Sequence, residues 1–177
     1  MTCPTGGGHV RWHNATRDFL ARWVGGLTDA PGGVAPTEQV VPQWYDDVKQ
    51  EAGRLDIGPF KDPQGRLCYI DVVFGTATAL PGSADARAFG ARDGAKAEAM
   101  EAAKRSMYPP HEHPAAHLVP FAVEAHGRWG ADAASFVANM VPQNHPDRAR
   151  EIARCRRAVS VLAMGRLGDL LVSSEAA

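Results

Sequence analysis

The sequence predicts an α/β domain, bordering on α+β, in which helices flank one mixed β-sheet. Three observations point there. A hairpin pattern occupies the middle of the chain, from Arg54 to Phe74. A helix-forming run rich in Ala, Lys and Glu follows, from Ala95 to Met107. A further apolar strand, His117 to Glu124, then precedes two more helical stretches. Taken in order, the chain opens with Gly-rich residues, and Asn14-Ala15-Thr16-Arg17-Asp18 starts a helix whose Phe19, Leu20, Trp23, Val24 and Leu27 recur at helical spacing. Gly25-Gly26 weakens its end, and a Pro/Gly connector from Asp29 to Pro36 leads to a short strand, Glu38 to Val41. The hairpin strands run Arg54 to Phe60 and Leu67 to Phe74, the second rich in β-branched and aromatic residues. Small residues from Gly75 to Gly94 read as a long mobile loop of the kind that often carries function. Pro109-Pro110 stops the next helix, Gly130 or Asp132 caps another through Met140, and Pro146 to Leu171 forms a long final helix.

Bulk properties narrow the classes. The chain has 177 residues, 45% of them hydrophobic, enough for one normal core. A formal net charge of −1 excludes a uniformly basic protein, so any nucleic-acid affinity must come from a local patch. Cys3, Cys68 and Cys155 are odd in number and far apart, which argues against a disulfide framework and for a reducing compartment. There is no apolar leader after Met1 and no apolar run of membrane-spanning length, so a soluble intracellular protein with no membrane partner is expected.

The hairpin carries the chemistry. Lys61-Asp62-Pro63-Gln64-Gly65-Arg66 has the composition of a type I turn, with Pro at its second position and Gly at its fourth. Centred on Pro63 and Gln64, the turn sets Ile57 opposite Ile70, Leu55 opposite Val72, and Asp56 directly opposite Asp71. Like charges facing each other destabilise a sheet, so such a pair calls for a cation between them. A bulge at Gly65 would instead set Asp71 against Ile57 and send Asp56 to the far face. Apolar matching favours the first register. The plainer reading has Asp56 ending a short strand at the surface and Asp71 as an ordinary edge carboxylate. Cys68 alternates with the aspartate face and reads as core.

Lys104 and Tyr108 lie four apart and share a helix face. Phosphodiester hydrolysis needs a metal to polarise phosphate and activate water, and a cation to offset developing charge. Asp56 and Asp71 could hold Mg²⁺, Lys104 could supply the cation, and Tyr108 could hydrogen-bond phosphate. The competing reading is a solvated lysine and a half-buried tyrosine at a helix end. His111, His113 and His117 lie in a Pro-interrupted stretch that cannot form the helical zinc-hydrolase motif, and their role is open. Cys3, His9 and His13 lack the paired cysteines of a zinc knuckle. Glu124 is either a third acid at the sheet edge or a strand terminus. On the final helix Ile152, Cys155, Val159 and Leu162 make an apolar stripe, and Arg150, Arg154 and Arg157 are candidate contacts to a nucleic-acid backbone or part of a solvated face.

The ordered set is more specific than any one motif. Cys3-Pro4-Thr5-Gly6-Gly7, His13-Asn14-Ala15-Thr16-Arg17-Asp18, Arg54-Leu55-Asp56-Ile57, Tyr69-Ile70-Asp71-Val72, Lys104-Arg105-Ser106-Met107-Tyr108, and Leu118 to Glu124 with Gly127-Arg128-Trp129-Gly130 follow one another along residues 3 to 140. In this the chain resembles the restriction-like endonuclease domain at the C-terminal end of site-specific, LINE-like retrotransposon polyproteins. The resemblance implies a PD-(D/E)xK-type fold and Mg²⁺-dependent nicking of target DNA, whose free 3′ hydroxyl primes reverse transcription. It implies Asp56 and Asp71 as metal ligands, Lys104 as the catalytic lysine moved from strand to helix, Tyr108 as its companion, and a nuclear location. Val73 stands where ordinary restriction enzymes carry the strand lysine, as this branch would have it.

The sequence departs from the pattern in three places. Leu55 replaces the small residue or Pro before the first aspartate. The family's zinc knuckle would end near Cys3 without its partner ligands, so no zinc is expected. The reverse transcriptase portion of the parent polyprotein, an implied partner, is absent, so a fragment, a gene-model remnant or a domesticated piece is expected. The expected organisation is a knuckle or linker remnant at 1–13, an endonuclease-like domain at 14–140 and a helical appendage at 146–172. The alternative is a catalytically inactive nucleic-acid-binding or interaction module that keeps the fold.

Overall fold

The computed structural model describes residues 6–46, 51–75, 94–109 and 115–175. Helix α1 (Gly6–Gly25) is followed by a short 3₁₀ turn (Pro31–Gly33), strands β1 (Thr37–Asp46), β2 (Glu51–Lys61) and β3 (Leu67–Gly75), helix α2 (Ala95–Met107), strand β4 (Ala116–Glu124), and helices α3 (Ala131–Met140) and α4 (Arg148–Glu175). The sheet order is β1-β2-β3-β4. The first three strands pair antiparallel and β3 with β4 parallel, so the sheet is mixed and the protein is α/β. A parallel pair needs a crossover, and α2 lies in the connection that makes it. Pro120 sits beside Asp71 on β4, an edge strand, where its missing N–H costs no ladder bond to a further strand.

The hairpin register combines both sequence alternatives. Gly65 adopts φ +78 and its N–H donates to the Asp62 carbonyl, while Asp62 N–H donates to the Arg66 carbonyl. The bulge is therefore present, and near the turn Phe60 faces Cys68 and Lys61 faces Leu67. Farther out, Ile57 faces Ile70. Moving from one pair to the other takes three steps on β2 (60 to 57) and two on β3 (68 to 70), so β2 carries a second extra residue that cancels the first. Gly58 makes this possible. Its φ is +126, and a Cβ there would meet the Cys68 carbonyl oxygen at 2.8 Å. The opposed aspartates thus depend on two compensating irregularities.

One large core joins Ile57, Ile70, Val72 and Phe121 of the sheet to Leu20 and Val24 of α1, Phe136 and Val137 of α3, and Cys155, Val159 and Ala163 of α4. Cys68 belongs to it, as expected from its alternation. A smaller cluster holds Val41, Trp44, Leu55, Tyr69 and Tyr108. Leu55 therefore does not join Val72 in one apolar face. Beyond Ile57 the carboxylate of Asp56, not a β2 carbonyl, takes the Val72 N–H, and Leu55 pairs with Gln39 of β1.

Two expected boundaries move. The first helix starts at Gly6, not near Asn14, so a division at residue 13 falls inside α1. Three glycines are poor helix formers, but Trp12 packs on Gly165 of α4 and His13 pairs with β2, and tertiary contact outweighs propensity. The final helix shares the main core, so it packs as an integral layer and not as an appendage. Cys3, His111, His113 and the loop segment 76–93 lie outside the described residues, as does the side chain of His9.

Candidate functional site

Asp71 lies in the middle of β3, 5% exposed, and α2 packs over β3 and β4 so that Lys104 reaches it. Lys104 Nζ stands 2.7 Å from Asp71 Oδ2. That oxygen is buried and, apart from this ion pair, has no aligned hydrogen-bond donor among the described residues. Asp56 approaches from β2, with Oδ2 accepting the Val72 N–H at 2.7 Å and Oδ1 lying 2.9 Å from His13 Nε2 on α1. A carboxylate only accepts, so Nε2 of His13 carries the proton in that bond. Four elements therefore converge: α1 supplies His13, β2 Asp56, β3 Asp71 and α2 Lys104.

The electrostatics match the geometry. Burial pushes the Asp71 carboxyl up, Lys104 pulls it back, and the charge and hydrogen bond of Asp56 raise it again, to about 6 against an ordinary 3.8. A divalent cation at this point would relieve both burdens, because it replaces a like-charge contact with shared coordination. The donor set fits such an ion. Two carboxylates offer hard oxygens with free lone pairs, and Mg²⁺ binds one or two carboxylates while keeping several waters. Among the described residues no group of three or more His, Cys, Asp or Glu side chains is placed to hold a metal ion.

Other sequence candidates fall elsewhere. Tyr108 follows the end of α2 at φ −128 and is 5% exposed. It packs on Trp44, with ring centroids 6.2 Å apart, and against Gly53, inside the smaller core cluster. Its helical spacing from Lys104 predicts a shared face; α2 stops at Met107, and the Tyr108 N–H still donates to the Lys104 carbonyl at 3.0 Å. Tyr108 also lines a cavity of about 380 Å³ with His117 and Arg66, and neither Asp56 nor Asp71 borders that space. Burial first, and Arg66 next, hold the His117 imidazole below its ordinary range. Glu124 accepts the Ala97 N–H at 3.1 Å and so serves the start of α2, whose N-cap Gly94 has no side chain to do it. Glu101 does the same for α3, accepting from Asp132 and Ala133 at 3.0 and 3.2 Å. Arg150, Arg154 and Arg157 line a groove between α1 and α4 together with Ala15, Phe19 and Arg22. At about 100° per residue, Ala15 and Arg22 lie about 160° and 180° around α1 from His13. These arginines therefore do not border the carboxylates.

His13 joins the site although its local sequence marks it only as a weak zinc ligand. The one signal pointing to it is its place in the ordered motif set. No family model, curated protein or solved structure matches the chain. Its functional reading therefore rests on the chemistry of the site.

Proposed function

We propose that the protein is a metal-dependent endonuclease domain that nicks DNA, with Asp56 and Asp71 as metal ligands and Lys104 as the cation serving the scissile phosphate. One observation carries the reading: a buried aspartate faces a second carboxylate and a lysine ammonium at 2.7 Å, in a group assembled from separate elements. When bound, a divalent ion such as Mg²⁺ polarises phosphate and makes a water nucleophilic near neutral pH. The protein's own groups do the rest. His13 and the Val72 N–H fix both oxygens of Asp56, so the carboxylate cannot swing away. Lys104, with a side chain 24% exposed, can leave Asp71 for a phosphate oxygen whose charge grows as water attacks phosphorus. The bond from phosphorus to the 3′ oxygen breaks, a solvent proton goes to that oxygen, and the products are a 3′ hydroxyl and a 5′ phosphate.

The resemblance to retroelement nucleases supports DNA as the substrate, the nucleus as the location, and a reverse transcriptase as the partner that would extend the 3′ end. The DNA contact expected of Arg150, Arg154 and Arg157 is not part of this reading, because they flank the opposite side of α1 from His13. Plasmid nicking with Mg²⁺ tests the proposal. Wild type converts supercoiled to open-circular DNA, chelation stops it, and Asp71→Ala abolishes it. Equal nicking by wild type and Asp71→Ala would overturn the reading.

A further inference from the structure

The groove between α1 and α4 has a composition that the nuclease reading does not use. Its volume is about 830 Å³. Phe19, Val161 and Leu162 give it apolar lining, and Val161 is 56% exposed. Arg22, Arg150, Arg154 and Arg157 surround that lining. Its one acid, Asp18, is already held by Arg17 at 2.7 Å. Arg154 leans on Glu151 at 3.3 Å, while Arg22, Arg150 and Arg157 have no ion-pair partner among the described residues. The helices themselves are locked together. Trp12 lies over Gly165, where a Cβ would meet its ring at 2.7 Å, so the groove is a fixed surface and not a gap about to close.

We infer that this groove docks an acidic amphipathic helix of a partner protein. A crevice between two packed helices takes a third helix by ridge-and-groove packing, with an apolar stripe inward and charges at the rim. Unpaired arginines on the rim select acidic flanks and penalise basic ones. A phosphate backbone would use the arginines but leaves Phe19, Val161 and Leu162 with nothing to cover them. The twelve residue steps from Arg150 to Leu162 span about 18 Å, which fits about three helical turns of partner. The inference stands on the groove alone, and the loss of the nuclease reading would not touch it.

The test uses the full chain and a fluorescent helical peptide of about 14 residues, with leucines along one face and glutamates on its flanks. Anisotropy titration should show saturable binding. A lysine-flanked peptide of the same stripe should bind at least about tenfold more weakly. The double substitution Arg150→Glu and Arg157→Glu should weaken the glutamate peptide by a similar factor, and the exposed Val161→Glu should do so independently. Circular dichroism checks that each variant folds. Absence of saturable binding, equal binding of the two peptides, or binding unchanged by both variants overturns the inference. Duplex DNA that displaces the peptide, and itself loses affinity in the arginine variant, would assign the groove to a nucleic acid and overturn it equally.

Discussion

Asp62 and Asp71 stand at the two ends of one hairpin, each with a cationic partner at 2.7 Å and with side chains 5% and 7% exposed. Their carboxyls move in opposite directions. At Asp62 burial pushes upward, but the Arg66 backbone N–H, the Arg66 guanidinium and the Gln64 N–H together hold the group below its ordinary range. At Asp71 burial prevails and the neighbouring Asp56 adds to it, so the group rises to about 6 despite Lys104. Burial and an ion pair are common to both. The difference is the local donor supply: a turn wraps backbone N–H groups around Asp62, whereas a mid-strand position gives Asp71 only a lysine and a like charge. The turn supplies the donors that keep Asp62 ionised, and the mid-strand position leaves Asp71 short of them.

The same isosteric change should therefore separate the two. Asp71→Asn should lower Mg²⁺-dependent nicking by more than about a thousandfold, since both a metal ligand and the charge that holds Lys104 are lost. Asp62→Asn should leave nicking per folded molecule within about threefold of wild type. A comparable loss in both variants would mean that the hairpin as a whole, and not its open end, sets activity.

The pH dependence of stability sharpens the contrast. Asp71 has a folded pKa of about 6 against 3.8, so the folded state binds more protons between these values. Its contribution is fully present below about pH 4 and is lost as pH rises through about 6, on the order of 3 kcal/mol in all. Asp62 has a lowered folded pKa, so its contribution is present above about pH 4 and lost as pH falls further. Urea melts of the metal-free protein should thus show wild type losing stability relative to Asp71→Asn between about pH 4 and pH 6.5. Added Mg²⁺ should restore it in wild type alone, as a ligand of the folded state must. A flat difference across that window would remove the case for strain at Asp71.

Next in size is Asp62→Asn itself. An amide oxygen in place of Oδ1 can keep both backbone bonds, but the amide nitrogen in place of Oδ2 cannot form the charge-assisted pair with Arg66. The expected loss is about 1–2 kcal/mol in urea melts at neutral pH. No loss would show that the turn holds its shape through Gly65 and backbone bonds alone.

The comparison also shows which parts of the molecule are legible in the chain. Ala95 to Met107 is helical because its composition leaves little alternative, and β3 is set by β-branched and aromatic residues. Asp56 and Asp71 do meet, but by a route that local patterns do not reveal. The Gly65 bulge is foreseeable from turn composition, whereas the correcting irregularity at Gly58 depends on the Cys68 carbonyl across the hairpin. Tyr108 falls one residue past the end of α2, and its ring joins the smaller core cluster with Tyr69. His13 is hidden for the opposite reason. Three glycines before it suggest no helix, whereas packing of Trp12 on Gly165 and pairing with Asp56 help extend α1 over it. Long-range contacts supply what local patterns lack.

His13 yields the smallest effect and the finest distinction. Its Nε2 lies 2.9 Å from Asp56 Oδ1, so it is bonded to one of the two carboxylates, and under the proposed function its part is to position that carboxylate. His13→Gln can still donate to the carboxylate, and His13→Ala cannot. Removing the donor leaves Oδ1 of Asp56 without its imidazole partner, so the carboxylate is held less firmly beside the Val72 N–H. The expected fall in nicking is about tenfold for Ala, with partial recovery for Gln. A residue that merely supported α1 would lower activity at every metal concentration alike. A positioning residue should instead raise the Mg²⁺ concentration needed for half-maximal nicking, by about tenfold for Ala, while saturating Mg²⁺ recovers most of the rate. If the Mg²⁺ midpoint stays fixed while the rate falls, His13 belongs with the packing of α1 and not with the site.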